Sequence, residues 1–415
     1  MLDIRFIREN ASRVQQSAEQ KGYEAINVAE LLQRDDERRS LQQIVDELRA
    51  RRNENAAKMK GGKPDQATIE EGRRIKQELS QKEQSLQEVE AQCGDILAAI
   101  PNVIADDVPL GGEEDSVEIK SWGNKRLRAK DHLDYATERG WLDFARGAKV
   151  AGTKFYYIKG DLMLLENAIY QFALTKLVSK GFNPMTVPHM VSSRIASGAG
   201  FAPKSDKESN EYFIEDEDMM LIGTAEAPLT GFHADEIIEE QDLPLLYAGY
   251  SPCYRKEAGA SGKFSRGLFR VHQFNKLEMY IFALPETSKA QHEKILSIEE
   301  EIWQEIGIPY HVINIAAGDL GAPAAKKYDL EYWSPVDGKY RELTSCSNCT
   351  DFQARNLNIR VRRKDGSVEV LHTLNGTAVS LARSLVAVIE NYQTDDGLLQ
   401  VPEVLRPYLG GREVL

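Results

Sequence analysis

Long apolar runs are missing from this 415-residue chain: no uncharged hydrophobic stretch reaches the roughly 18 residues that a membrane-spanning helix requires. The first ten residues, MLDIRFIREN, are charged throughout and hold no apolar signal core. Cysteine is scarce, and Cys93, Cys253, Cys346 and Cys349 are too few and too scattered for a disulfide framework. Basic charge is outweighed, with 52 Lys and Arg against 65 Asp and Glu and a net charge of −13. Such a protein has no global attraction for nucleic acid, so any such partner must meet a local basic patch. The expectation is a soluble cytoplasmic protein, long enough for two domains and a sizeable core.

Proline is nearly absent from residues 1 to about 105, where only Pro64 and Pro101 occur among Glu, Gln, Arg and Leu. The pattern predicts one helix over about 28–60 and a second over about 68–100. Asn27 with Glu30, and Thr68 with Glu71, have the spacing of helix starts. Leu79, Leu86, Cys93 and Ile100 recur every seven residues with Ile75, Val89 and Ile96 between them. Leu41, Val45 and Leu48 supply a facing seam, and GGKPD at 61–65 is the break. That is an antiparallel helical hairpin, an arm roughly 50 Å long at 1.5 Å per residue. Its tip carries Arg49, Arg51, Arg52, Lys58, Lys60 and Lys63 against Glu54 alone. On an acidic chain this reversal fits a phosphate-binding surface, a solvated charged face being the alternative.

Pro101, Pro109 and Gly111–Gly112 mark a linker, after which strands and helices mix. A helix at about 160–180 leads to a strand at 181–191. LIGTAEAPLT at 221–230 reads as strand, turn and helix, and 285–307 is an amphipathic helix. Strands are expected at 310–315, 339–345 and 358–371, and an apolar helix at 377–392. Strands lie close in sequence, so the class is α+β: an antiparallel sheet with flanking helices. The domains are 1–105 and 106–415.

The most informative stretch is YRKEAGASGKFSRGLFRVHQFNKLE at 254–278, read as strand, glycine-rich loop, strand. Arg255 and Glu257 end the first arm; Arg270, His272, Phe274, Lys276 and Glu278 alternate along the second. A strand has a period of two, so each set shares a face. Cations, an aromatic platform and carboxylates on one face do not make a core; they suit a nucleotide and a small polar substrate. Residues 258–268 carry Gly259, Gly262, Gly267, Lys263 and Arg266, more than a tight hairpin needs, and can move over a polyanion. Taken alone the segment could still be an ordinary solvated hairpin.

Three segments in order, 181–191, 254–278 and TLNGTAVSLARSLVAVIENYQ at 373–393, resemble motifs 1, 2 and 3 of class II aminoacyl-tRNA synthetases. GLFRVHQFNKLE, TAEAPLT and TLNGTA with ENYQ resemble the seryl-tRNA synthetase family in particular, and the N-terminal hairpin resembles its tRNA-binding arm. The resemblance implies a dimer formed partly around Pro188, which taken alone could be an edge-strand proline. It also implies two-step chemistry, in which serine and ATP give seryl-adenylate and the seryl group passes to the 3′ end of serine tRNA. Charging of selenocysteine tRNA is implied where that tRNA exists.

The same resemblance assigns roles. Arg255 is the α-phosphate clamp, a task its planar guanidinium suits. Glu257 accepts from the adenine amino group, Phe274 stacks under adenine, and Arg383 covers the nucleotide. Lys256, Val271, Leu343 and Thr344 complete the ATP contacts, while Glu342 and Ser345 meet ATP and Mg²⁺. Catalysis falls to Arg255, Glu342 and Arg383. Thr224, Ala225, Glu226, Glu278, Asn375 and Thr377 hold serine, and a site that pairs with its hydroxyl rejects alanine. Arg49, Arg51, Arg52, Lys58, Lys60 and Lys63 meet tRNA. Cys346 and Cys349 lack a second ligand pair, so no zinc is expected, and no pairing for covalent catalysis is visible.

The chain departs from the family wording at GAGFAPKS (198–205), at Gly223 before Thr-Ala-Glu, at GKFSRGL (262–268) and at Leu381-Ala382. No assigned ligand is lost. A synthetase-like ligase for a carrier protein would lack the arm. A catalytically inactive RNA-binding homologue would have lost ATP or serine ligands.

Overall fold

The computed structural model describes residues 1–60, 65–201, 210–257 and 266–415. Within them the chain forms two units, Met1–Val103 and Ile104–Leu415. In the first, short helices Ile4–Glu9 and Ala11–Gln20 precede the long pair Val28–Lys60 and Gln66–Ala99. The heptad positions explain the pairing: Val45, Leu48, Leu79 and Leu86 form one buried cluster, with Leu41 and Ile44 packed against it. Asn27 caps the first long helix by accepting from the Glu30 N–H (3.1 Å). The second start differs from expectation. Asp65, not Thr68, is the cap, accepting from the Thr68 N–H at 2.8 Å as a short acidic side chain at that position can.

The second unit is built on an eight-stranded sheet: β1 Val117–Trp122, β2 Asn183–Thr186, β3 Leu245–Tyr254, β4 Gln273–Ala283, β5 Tyr310–Asn314, β6 Lys326–Ser334, β7 Lys339–Asn348 and β8 His372–Ser380. Their order is β1-β5-β6-β7-β8-β4-β3-β2. Every pairing is antiparallel except β2 on β3. The run MYIFA in β4 is buried on both faces. Met279 and Ile281 pack with helices Asp161–Ser179, Ser288–Ile306 and Leu381–Tyr392, whereas Tyr280 and Phe282 pack with a second cluster around Ala227, Leu229 and Leu357. Two-sided burial replaces polar alternation with continuous apolarity. The polar start of β4 protrudes from this core, and the site lies there. No helix of the described residues is long and apolar enough to cross a membrane.

Several boundaries differ from the sequence reading. Residues 181–191 are not one strand, since β2 stops at Thr186 and Met190–Ser192 joins a small separate sheet. Pro188 lies between them and has no N–H to continue a ladder. Residues 358–371 form a pair of short strands, Arg360–Arg362 and Val368–Val370, turning through Gly366 at φ +86°. The helix expected at 377–392 begins at Leu381, because residues 372–380 are drawn into β8 between β4 and β7. Strand β6, KKYDLEYWS, was not expected at all.

Candidate active site

A cleft of about 230 Å³ opens where β4, β6, β7 and β8 meet the start of helix Leu381–Tyr392. Of the residues expected at ATP, Arg255, Glu257, Val271, Phe274, Glu342, Leu343, Thr344, Ser345 and Arg383 line it. Thr377, expected at serine, lines it too. The Arg255 guanidinium is held by its Nε donating to the Gly223 carbonyl at 3.1 Å and lies 5.3 Å from the Phe274 ring centre. Arg383 lies 4.9 Å from the Phe269 ring and pairs with Glu342 at 2.9 Å. Burial opposes ionisation of Glu342. Arg383, Lys327 and Arg255 outweigh it and hold the carboxyl down at about 2.

Behind this cleft lies a second polar group. Thr224 donates to Glu278 at 3.1 Å and accepts from Lys276 Nζ at 3.2 Å, and Lys276 also pairs with Glu278. Glu278 sits opposite Thr377 in the β4–β8 register, which places both on one face. Glu226 accepts from Asn375 (2.9 Å) and Gln353 (2.7 Å). Burial, with the Glu278 carboxylate adding to it, pushes the Glu226 carboxyl up to about 7. Thr224, Glu226, Glu278 and Asn375 are therefore brought together, and Lys276 bridges them to the cleft.

Other expectations need correction. Arg270 and His272 do not share the cleft face with Phe274. The segment before β4 is a short helical turn, Gly267–Phe269, followed by three residues outside the strand, so strict alternation begins only at Gln273. Arg270 pairs with Glu257 (2.9 Å), which sits at φ +48°, and His272 bonds the Arg255 carbonyl (3.0 Å). Lys256 turns from the cleft toward Tyr212 and Phe213. Ala225 is fully buried at the start of helix Glu226–Gly231, where its carbonyl accepts from the Leu229 N–H and its side chain carries no polar group. The Thr344 hydroxyl donates to buried Glu299 (3.0 Å).

At the arm tip, Glu54 is not the only opposing charge. Arg49 pairs with Glu83 and Arg51 with Glu71, each at 2.7 Å, because the hairpin places the second helix beside the first. Arg52 and Lys58 are exposed. Lys63, and the loop residues Gly259, Gly262 and Lys263, lie outside the described residues.

Sequence reasoning did not assign Lys327, Phe269 or Gln353. Lys327 lines the cleft from β6 and pairs with Asp329 at 3.1 Å. The alternation in KKYDLEYWS could have found that strand. Nothing local marks Gln353, which reaches Glu226 from helix Phe352–Asn356.

Four cations, Arg255, Lys276, Lys327 and Arg383, against two carboxylates, Glu257 and Glu342, with two aromatic rings, make a receptor for a polyanion that carries a flat base. The adjoining acidic pocket suits a small ammonium ligand.

Comparison with known proteins gives the same picture. The tRNA synthetase class II core domain (G, H, P, S and T) matches residues 212–392, and the seryl-tRNA synthetase N-terminal domain matches residues 1–104. The serine–tRNA ligase of Dictyoglomus turgidum is 43% identical over 422 residues, covering 100% of this chain and 99% of that protein. That of Methanocella arvoryzae is 44% identical over 427 residues, covering 100% of both. The crystal structure of seryl-tRNA synthetase from Pyrococcus horikoshii complexed with ATP superposes with a TM-score of 0.93 at 41% identity, covering 100% of this chain and 99% of that one. The cytoplasmic serine–tRNA ligase from Naegleria fowleri in complex with AMP gives 0.88 at 31% identity, covering 100% and 98%. Full-length identity, both domain matches and the cleft geometry agree, and the chain belongs to the seryl-tRNA synthetase family.

Proposed function

We propose that this chain is a serine–tRNA ligase in which the cationic cleft binds ATP and the pocket behind it binds serine. The observation that carries this reading is the Lys276 bridge, which joins the polyanion cleft to the buried group of Thr224 and Glu278. A serine carboxylate oxygen attacks the ATP α-phosphorus in line. The new P–O bond forms as the bond to pyrophosphate breaks, giving seryl-adenylate. The ribose hydroxyl at the tRNA 3′ end then takes the seryl group and AMP leaves. No covalent bond to the protein is needed, so positioning and charge stabilisation do the work.

Arg255 clamps the α-phosphate, and Arg383 covers the triphosphate, with Phe269 behind its guanidinium. Phe274 stacks on adenine and Glu257 accepts from its amino group. Glu226 and Glu278 receive the serine ammonium and hydroxyl, with Thr224, Asn375 and Thr377 beside them. Mg²⁺ fits this site. Glu342 stays anionic, and Asp329, opposite Ser345 in the β6–β7 register, has a buried Oδ1 with no hydrogen-bond partner. Glu342 and Ser345 would hold the ion, which would supply charge neutralisation on the phosphates. Zinc has no part in this reading: Asn375 donates to Cys349 Sγ (3.6 Å), and burial raises the Cys346 thiol far above its ordinary range. Residues 106–415 make the catalytic domain and 1–105 the tRNA-binding one, Arg52 and Lys58 offering exposed charge to phosphate. A homodimer, a cytoplasmic location and the charging of selenocysteine tRNA belong to the same proposal, on the family's account.

The test is ATP–pyrophosphate exchange by pure protein with each of the twenty amino acids. Exchange that requires serine is expected. Exchange with none, or with a different amino acid only, overturns the reading.

A further inference from the structure

His132 and Glu390 form a buried pair, 1% and 0% exposed, joining segments 258 positions apart. With Asp131 their ligand atoms lie within 4.8 Å of one another, but those atoms are already engaged. Asp131 Oδ1 caps helix His132–Glu138 through the Leu133 N–H (2.9 Å). Glu390 Oε2 accepts from Ser334 (2.7 Å) and Tyr332 (3.1 Å), and Oε1 lies 3.0 Å from His132 Nδ1. The other ring nitrogen, Nε2, accepts from the backbone N–H of Leu268 at 3.2 Å. A nitrogen that accepts must keep its lone pair free, so the proton sits on Nδ1 and is donated to Glu390.

Leu268 ends the glycine-rich stretch 258–268 and lies in the turn Gly267–Phe269. Arg266 is tied to the same helix by Asp134 at 2.6 Å. Gly267, at φ +63°, is pressed so close that a Cβ there would stand 2.3 Å from His132 Nε2. The next residue, Phe269, backs the Arg383 guanidinium. Glu390 stands seven residues beyond Arg383, two turns along one helix and hence on the same face.

From this geometry we infer that His132 is a positioning residue for adenylation: oriented by Glu390, it holds the returning leg of the loop by the Leu268 N–H, and so sets Phe269 behind Arg383. It touches no substrate. The inference rests on the assignment of this cleft to ATP.

Two substitutions divide the two bonds of the ring. In His132→Gln the amide oxygen can reach the place of Nε2 and still accept from Leu268. In His132→Asn the amide nitrogen replaces Nδ1 and donates to Glu390, but the acceptor is gone. Loss of one net hydrogen bond corresponds to about tenfold. H132N is expected to speed hydrogen exchange of the Leu268 amide about tenfold and to raise KM for ATP about as much, with KM for serine unchanged. H132Q should keep both near wild type. Gly267→Ala attacks the same contact from the loop side, should raise KM for ATP alone, and serves if H132N does not fold. The inference is overturned by wild-type Leu268 protection in H132N, by equal effects of H132N and H132Q on ATP and serine, or by a wild-type KM for ATP in G267A. Serine-dependent exchange by the unaltered protein is the control: if it is absent, the ATP assignment fails, whereas amide exchange at Leu268 still reports the anchor.

Discussion

Replacing Glu226 by Gln should make the protein more stable and less active, and the gain should appear only as pH rises. The carboxyl is raised from its ordinary 4.5 to about 7, first by burial and then by Glu278. Below pH 4.5 it is protonated in both folded and unfolded chains and favours neither. Between 4.5 and 7 the unfolded chain releases the proton first, so stability falls as pH rises, and the loss is complete above 7. It amounts to about 3 kcal/mol at most. Glutamine is isosteric and cannot ionise, and its amide oxygen can still accept from Gln353 and Asn375. Its NH2 group adds a penalty of its own, but one that is equal at every pH. The quantity to measure is therefore the change in the Tm difference, mutant minus wild type, between pH 5 and pH 8. Scanning calorimetry should find that difference larger at pH 8 by about 5 °C for a unit of this size. In pyrophosphate exchange at pH 8, loss of the carboxylate from the ammonium should raise KM for serine roughly tenfold to a hundredfold, the range for a hydrogen bond to a charged group. A Tm difference that does not change with pH would refute the raised carboxyl. A wild-type KM for serine would remove Glu226 from the ammonium.

Deleting residues 30–98 should leave serine-dependent exchange intact and abolish tRNA charging; charging that survives would make the basic tip a solvated face. In the intact protein KM for tRNA should climb steeply with salt, as phosphate contacts require, while exchange changes little. Arg383→Lys should lower exchange about a hundredfold despite keeping the charge, since an ammonium cannot reproduce the planar fork; an unchanged rate would show that charge alone suffices. Gly376→Ala places a Cβ 2.3 Å from Ile295 Cγ2 and 3.0 Å from Cys346 Cβ, and urea unfolding should show a loss of about 1–3 kcal/mol from overpacking, with no loss meaning that helix Ser288–Ile306 shifts freely.

The long helices were legible because their signal is local. Leu79 and Leu86, one heptad apart, face Val45 and Leu48 on the helix just before them in the chain, and no distant segment is needed to interpret the pattern. The chemistry of the cleft was legible in kind, since a cation-rich, glycine-rich segment with Phe274 and Glu278 has no use in a core. The elements that failed share one cause. Strand β6, the extension of β8 to Ser380 and the break at Pro188 depend on which strands lie on either side, and a run such as NGTAVS has no period that separates buried strand from buried helix.

By itself, then, the sequence determined the arm, the polyanion-binding character of one segment and the family. Only the tertiary structure decided how those groups are wired. The β4–β8 register puts Glu278 opposite Thr377, Gln353 arrives from another helix to hold Glu226, and the His132–Glu390 pair closes over 258 positions. Periodicity reports which residues share a face within one element. Hydrogen bonds, ion pairs and raised carboxyls arise between elements, and their pairing is set when the sheet closes.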